Sequence, residues 1–128
     1  MQNLASKAYG TVTQRTAGEQ QIEFALFQQI TQGLQDIADA EKPAPTAWAE
    51  AIERNLRLWT ILTTDLLLPE NALPLEIKQG LLNLAMFVRR HSMQVLSGTA
   101  EIEDLIEVNR TIMAGIAPAG ANPAEVAA

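Results

Sequence analysis

Pro74-Leu75-Glu76-Ile77-Lys78-Gln79-Gly80-Leu81-Leu82-Asn83-Leu84-Ala85-Met86-Phe87-Val88-Arg89-Arg90-His91-Ser92-Met93-Gln94-Val95-Leu96-Ser97-Gly98 is the stretch that decides the fold. Within it Ile77, Leu81, Leu84, Val88, His91 and Val95 recur at alternating steps of four and three. Such spacing places all six on one side of a helix and forms a heptad-like seam, the pattern of a helix packed in a bundle. Pro74 is expected in the first turn of this helix, where a missing N–H is no loss. Gly98 suits its C-terminal stop, because glycine readily takes the left-handed backbone on which many helices end.

The same period extends outward in both directions. On the N-terminal side, Trp48, Ile52, Leu56, Trp59, Leu62 and Leu66 predict a second helix with Thr46 as its N-cap. Before it, Ile22, Leu26, Ile30, Leu34 and Ile37 form another stripe, widened by Phe27. Thr16-Ala17-Gly18-Glu19 reads as a capping box opening that helix. Lys42-Pro43-Ala44-Pro45 closes it, since proline cannot continue a helix. A short segment, about Ser6 to Arg15, puts Ala8, Tyr9 and Val12 on one side and is too short to be stable alone. Beyond Gly98, Ile102, Leu105, Ile106, Ile112, Met113 and Ile116 predict a last helix starting near Thr99 or Ala100. Its acidic run Glu101, Glu103, Asp104 and Glu107 is explained by a solvated helix start favoured by the dipole. Residues 117–128, with Pro118 and Pro123, are expected to be a disordered tail. The expected architecture is all-α: a single helical domain over 1–116, built as a four-helix bundle with an extra N-terminal helical segment.

Composition narrows the function. Cysteine is absent, which removes disulfides, thiolate metal sites and a cysteine nucleophile. No apolar run approaches the ~20 residues needed to cross a bilayer, and no secretory signal opens the chain, so the cytoplasm is the expected location. A net charge of −6 disfavours direct RNA binding, although six of the nine basic residues fall between Arg54 and Arg110. The sequence contains no Gly-rich phosphate loop, nucleophile elbow or metal-ligand cluster, so neither enzyme activity nor a cofactor or metal is expected.

Four polar residues interrupt the apolar faces. Asn55 and Asn109 sit at or beside core-facing positions, each next to an arginine (Arg54, Arg110). A hydrogen bond between helices that fixes register is favoured for them over contact with a ligand. His91, the lone histidine, lies in the heptad seam without a partner at metal-ligand spacing, and a hydrogen bond to a neighbouring helix is expected. Asp65 is expected to accept from backbone amides of the connection that follows it. That connection, Leu66 to Leu75, is unusually rich in leucine: it is either a corner tucked over the bundle or an exposed patch that receives a partner helix.

In chain order, Asn55, Trp59, Asp65-Leu66, Leu73-Pro74, Val88, Arg90-His91, Leu105-Ile106, Asn109, Ile112 and Gly115 resemble the FlaF family, small regulators of flagellum biosynthesis in the Alphaproteobacteria. The resemblance runs from about Ala8 to Gly115, and Phe87 departs from it where many relatives carry Trp. It implies a partner-binding protein that helps control flagellin production and export, with flagellin and the small regulator FlbT as partners. Chaperone-like binding of flagellin's terminal helices in an apolar groove is the leading expectation. Tyr9, Trp48, Leu67, Leu68 and Leu73 are the candidate groove residues, with Arg57, Arg89 and Arg110 as a polar rim. The alternatives are a post-transcriptional regulator of flagellin mRNA, acting directly or through FlbT, and a structural partner that stabilises FlbT.

Overall fold

A computed structural model of the chain describes residues 17–116, with side chains for 24–115. Four helices follow one another: α1 (Ala17–Asp39), α2 (Pro45–Leu66), α3 (Leu75–Leu96) and α4 (Glu103–Ile116). No strand occurs among the described residues, and the all-α four-helix architecture expected from the patterning is the one observed. The N-terminal segment with Tyr9, the Thr16 cap and residues 117–128 lie outside the described residues, as do the side chains of Ile22 and Ile116.

Short connections join consecutive helices, so neighbours run antiparallel. α1 packs against α2 and α4, α2 also packs against α3, and α3 meets α4 more lightly. Their inward faces share one core in which Phe27, Leu34, Ile52, Leu62 and Leu105 are fully buried. Each such side chain contributes roughly 1.5–3 kcal/mol through apolar area removed from water. At the centre Trp59 is 2% exposed and meets the Phe27 ring edge-on, with centroids 6.1 Å apart.

That aromatic pair rotates α1 away from the expected stripe. Phe24, Phe27, Thr31 and Leu34 are its buried residues, while Leu26, Ile30 and Ile37 are half-buried on the flank. The centre of the face follows Phe27, whose ring packs on Trp59, and Thr31, whose hydroxyl finds a buried partner.

Helix boundaries differ from expectation at three places, each for a local reason. α2 starts at Pro45, not after a Thr46 cap: Ala44 is the N-cap, with no side-chain capping bond, and its carbonyl accepts from Trp48 N (3.0 Å). Proline at the first helical position has its φ preset and surrenders no bond, and the residue before it is held extended (φ −64°, ψ 140°). Pro74 lies just outside α3 as its N-cap, its carbonyl accepting from Ile77 N (3.1 Å) and Lys78 N (3.0 Å). α4 begins at Glu103 rather than near Thr99, because the residues before it are used to end α3.

That ending is a Schellman turn. Ser97 is the C-cap, Gly98 has φ 82°, Gly98 N donates to Val95 O (3.1 Å) and Thr99 N to Gln94 O (2.8 Å). A Cβ on Gly98 would meet nothing within 4 Å, so an alanine there is opposed only by the backbone. Gly98→Ala should lower the unfolding free energy by about 1 kcal/mol. A shifted urea midpoint with an unchanged slope is the readout.

Of the α3 seam, Leu81, Val88, His91 and Val95 are buried and Leu84 is half-buried. Ile77 is exposed (38%), and Leu73, from the connection before the helix, enters the core instead.

Candidate functional site

A buried polar network ties three helices together at the level of Trp59. The indole N–H of Trp59 can only donate, and it donates to Asn109 Oδ1 (2.9 Å). The amide orientation of Asn109 is thereby set, and its Nδ2 must seek acceptors. These are Asn55 Oδ1 (2.7 Å) and Thr31 Oγ1 (3.1 Å). One side chain on α4 thus joins α2, through Trp59 and Asn55, to α1, through Thr31. Asn55 and Asn109 are both 0% exposed and Thr31 is 4% exposed. The orientation of Asn55 follows from that of Asn109 and leaves Asn55 Nδ2 buried without a hydrogen-bond partner, as is Ser92 Oγ on α3.

The other two polar residues hold connections. His91 Nε2 lies 2.9 Å from Glu101 O and 3.1 Å from Asp104 Oδ2. Both are acceptors, so Nε2 carries a hydrogen, and the ring docks the start of α4 onto α3. Phe87 stacks on that ring, with centroids 4.9 Å apart and planes 21° from parallel. The Asp65 carboxylate accepts from Asn71 Nδ2 (3.3 Å), while Asn71 Oδ1 accepts from Leu73 N (3.1 Å). Asn71 so clamps the α2–α3 corner and turns Leu73 inward.

On the outer side of α2 and α3 lies an open groove of about 540 Å³. Leu56, Trp59 and three threonines form its α2 wall; Leu82, Ala85, Met86, Arg89 and Met93 form the α3 wall. The threonines are less polar than their names suggest. Thr60, Thr63 and Thr64 each donate a hydroxyl to the carbonyl four residues earlier, at 2.9, 2.8 and 2.9 Å. With the hydroxyl hydrogens engaged in the helix, the threonines offer a ligand their methyl groups and oxygens that can only accept. Met86 (63% exposed) and Met93 (51%) stand on the other wall.

The sequence matches the family described as Flagellar protein FlaF over residues 5–116. The chain belongs to the FlaF family. It is thereby a flagellar protein, and the match spans all four helices. Neither a curated protein nor a solved structure gives a significant match.

In this FlaF-family chain the residues chosen from sequence as one partner-binding groove do not lie together. Leu73 is buried (7%) at the corner, so it is core and not a contact residue. Leu67 (66%) and Leu68 (40%) are exposed there. Trp48 is half-buried against the core near the start of α2, about 28 Å along the helix axis from Leu67 at ~1.5 Å per residue. Arg57 pairs with Glu53 (3.0 Å) on the exposed face of α2. Arg110 is half-buried and donates to Gln35 Oε1 (2.9 Å), tying α4 to α1 on another side of the bundle. Arg89 alone of the three lines the groove, and Tyr9 lies outside the described residues.

The groove residues that sequence reading missed had a signal. Leu82, Met86, Arg89 and Met93 follow at four, three and four, a second stripe beside the α3 seam. Alongside the stronger seam it reads as ordinary surface until α2 is placed next to it. Among the described residues no group of three or more His, Cys, Asp or Glu can hold a metal ion, and no helix is long and apolar enough to cross a membrane.

Proposed function

We propose that this FlaF-family chain is a flagellum biogenesis factor that binds flagellin in a chaperone-like manner and thereby regulates its synthesis or export. It acts in the cytoplasm, by shielding flagellin's amphipathic terminal helices before they polymerise. The observation that carries this reading is the open α2–α3 groove, mainly apolar on both walls and two to three helical turns long. A folded chain gains nothing from leaving Met86 and Met93 in water, whereas methionine-lined grooves suit helix-in-groove recognition because the side chain adapts to its partner. Membership of a flagellar family supplies the context for the ligand.

Calorimetric titration of the full-length protein with monomeric flagellin tests it. Saturable binding is expected, and it should vanish when flagellin's terminal segments are removed. Absence of heat up to about 50 μM flagellin overturns the reading and shifts the same titration to FlbT.

A further inference from the structure

The geometry points to a specific occupant for the α2–α3 groove: an amphipathic helix of another protein, about three turns long, whose apolar stripe is edged by acidic side chains. This rests on the flagellin-binding reading only for the identity of the natural ligand. The chain has fifteen acidic and nine basic residues, yet α2 from Arg54 to Thr64 and α3 from Ile77 to Leu96 contain no Asp or Glu. The groove therefore lies on an acid-free face of an acidic protein. On α3, Lys78, Leu82, Ala85 and Arg89 follow at four, three and four, so the helix face that forms the apolar wall also carries its cations. Across the groove Arg57 stands one turn before Thr60, and its partner Glu53 is 64% exposed, which leaves that pair weakly held. Leu82 to Met93 spans about 17 Å, roughly three turns of a docked helix.

Charge argues against the chain's own ends. Met1 to Gly18 holds Lys7 and Arg15 and no acidic residue, while Ala117 to Ala128 holds one, Glu125, among two prolines. A second copy docked groove to groove brings the Arg89 stripe against its own symmetry mate. RNA needs exposed aromatic platforms or bases threaded along cations, but Trp59, the one aromatic in the lining, is 2% exposed. An acidic-edged helix satisfies the apolar walls and the cationic rim together, and charge complementarity adds register and on-rate.

The test titrates full-length protein with two synthetic helical peptides sharing one Leu/Ala stripe, one flanked by glutamates and its twin by lysines. The acidic peptide should bind at least about tenfold tighter at low salt. Arg89→Glu should abolish or reverse that preference, and Met86→Glu should weaken the acidic peptide by about tenfold or more. Arg89 and Met86 are exposed, and urea unfolding of each variant confirms that the fold is kept. Equal affinity for the twins overturns the proposal, as does a preference untouched by Arg89→Glu. Tight, salt-sensitive retention of poly(U) without peptide binding, or a dimer dissolved by Met86→Glu, overturns it in favour of RNA or self-association. The two readings fail separately. Flagellin binding unaltered by Met86→Glu removes the groove alone, and a silent flagellin titration beside discriminating peptides removes flagellin alone.

Discussion

Asn109→Ala is expected to lower the unfolding free energy by about 4 kcal/mol, among the largest effects of a single substitution in this chain. Asn109 is 0% exposed and serves three partners at once. Its loss leaves the Trp59 N–H and the Asn55 Oδ1 buried without a partner, and Thr31 Oγ1 loses its donor. An unpartnered buried polar group costs about 1–3 kcal/mol, and the remaining cavity adds to that. The comparison that isolates the network is Asn55→Leu. It removes one acceptor but also removes Asn55 Nδ2, which is already buried without a partner. Asn109 then keeps Trp59 and Thr31, so the expected loss is about 1 kcal/mol or less. Urea unfolding of the three proteins reads both numbers. Similar losses at 55 and 109 would show that packing, not the hydrogen-bond arrangement, governs this layer.

Trp59→Ala should be at least as severe, about 4–5 kcal/mol. Among the described residues the indole is the largest fully buried side chain; it touches Phe27 edge-on and holds Asn109 by its N–H. Trp59→Phe separates these contributions. It keeps much of the apolar volume, loses the donor to Asn109 Oδ1, and is expected to lower stability by about 2 kcal/mol. In a double-mutant cycle with Asn109→Ala the two losses should fall short of additive by about 1 kcal/mol or more, because both delete one bond. Full additivity would mean that the 2.9 Å contact contributes nothing in solution.

How much of this was legible before the helices were assembled differs by feature. The existence and order of the helices followed from periodicity, since Leu81, Val88, His91 and Val95 turn inward as their spacing requires. Asn55 and Asn109 were visible as polar residues on apolar faces, but their partners were not: Trp59 and Thr31 lie 50 and 78 positions from Asn109. Cap positions slipped because proline, more than a neighbouring threonine, sets where α2 begins. The connection from Leu66 to Leu75 read either as a tucked corner or as an exposed patch, and only Asn71, clamped by Asp65, shows that Leu73 turns inward while Leu67 and Leu68 stay exposed. Leu67, Leu68 and Trp48 were grouped by apolar character alone, and the length of α2 keeps them apart.

Sequence by itself determined the all-α class, the four helices and their order, the stop at Gly98 and the family, because periodicity, glycine and proline act over one or two turns of chain. Tertiary structure alone decided which polar groups meet in the core and which apolar side chains share a surface. A hydrogen bond and a groove each need atoms from different helices, and a second stripe such as Leu82–Met86–Met93 acquires meaning only when another helix lies beside it.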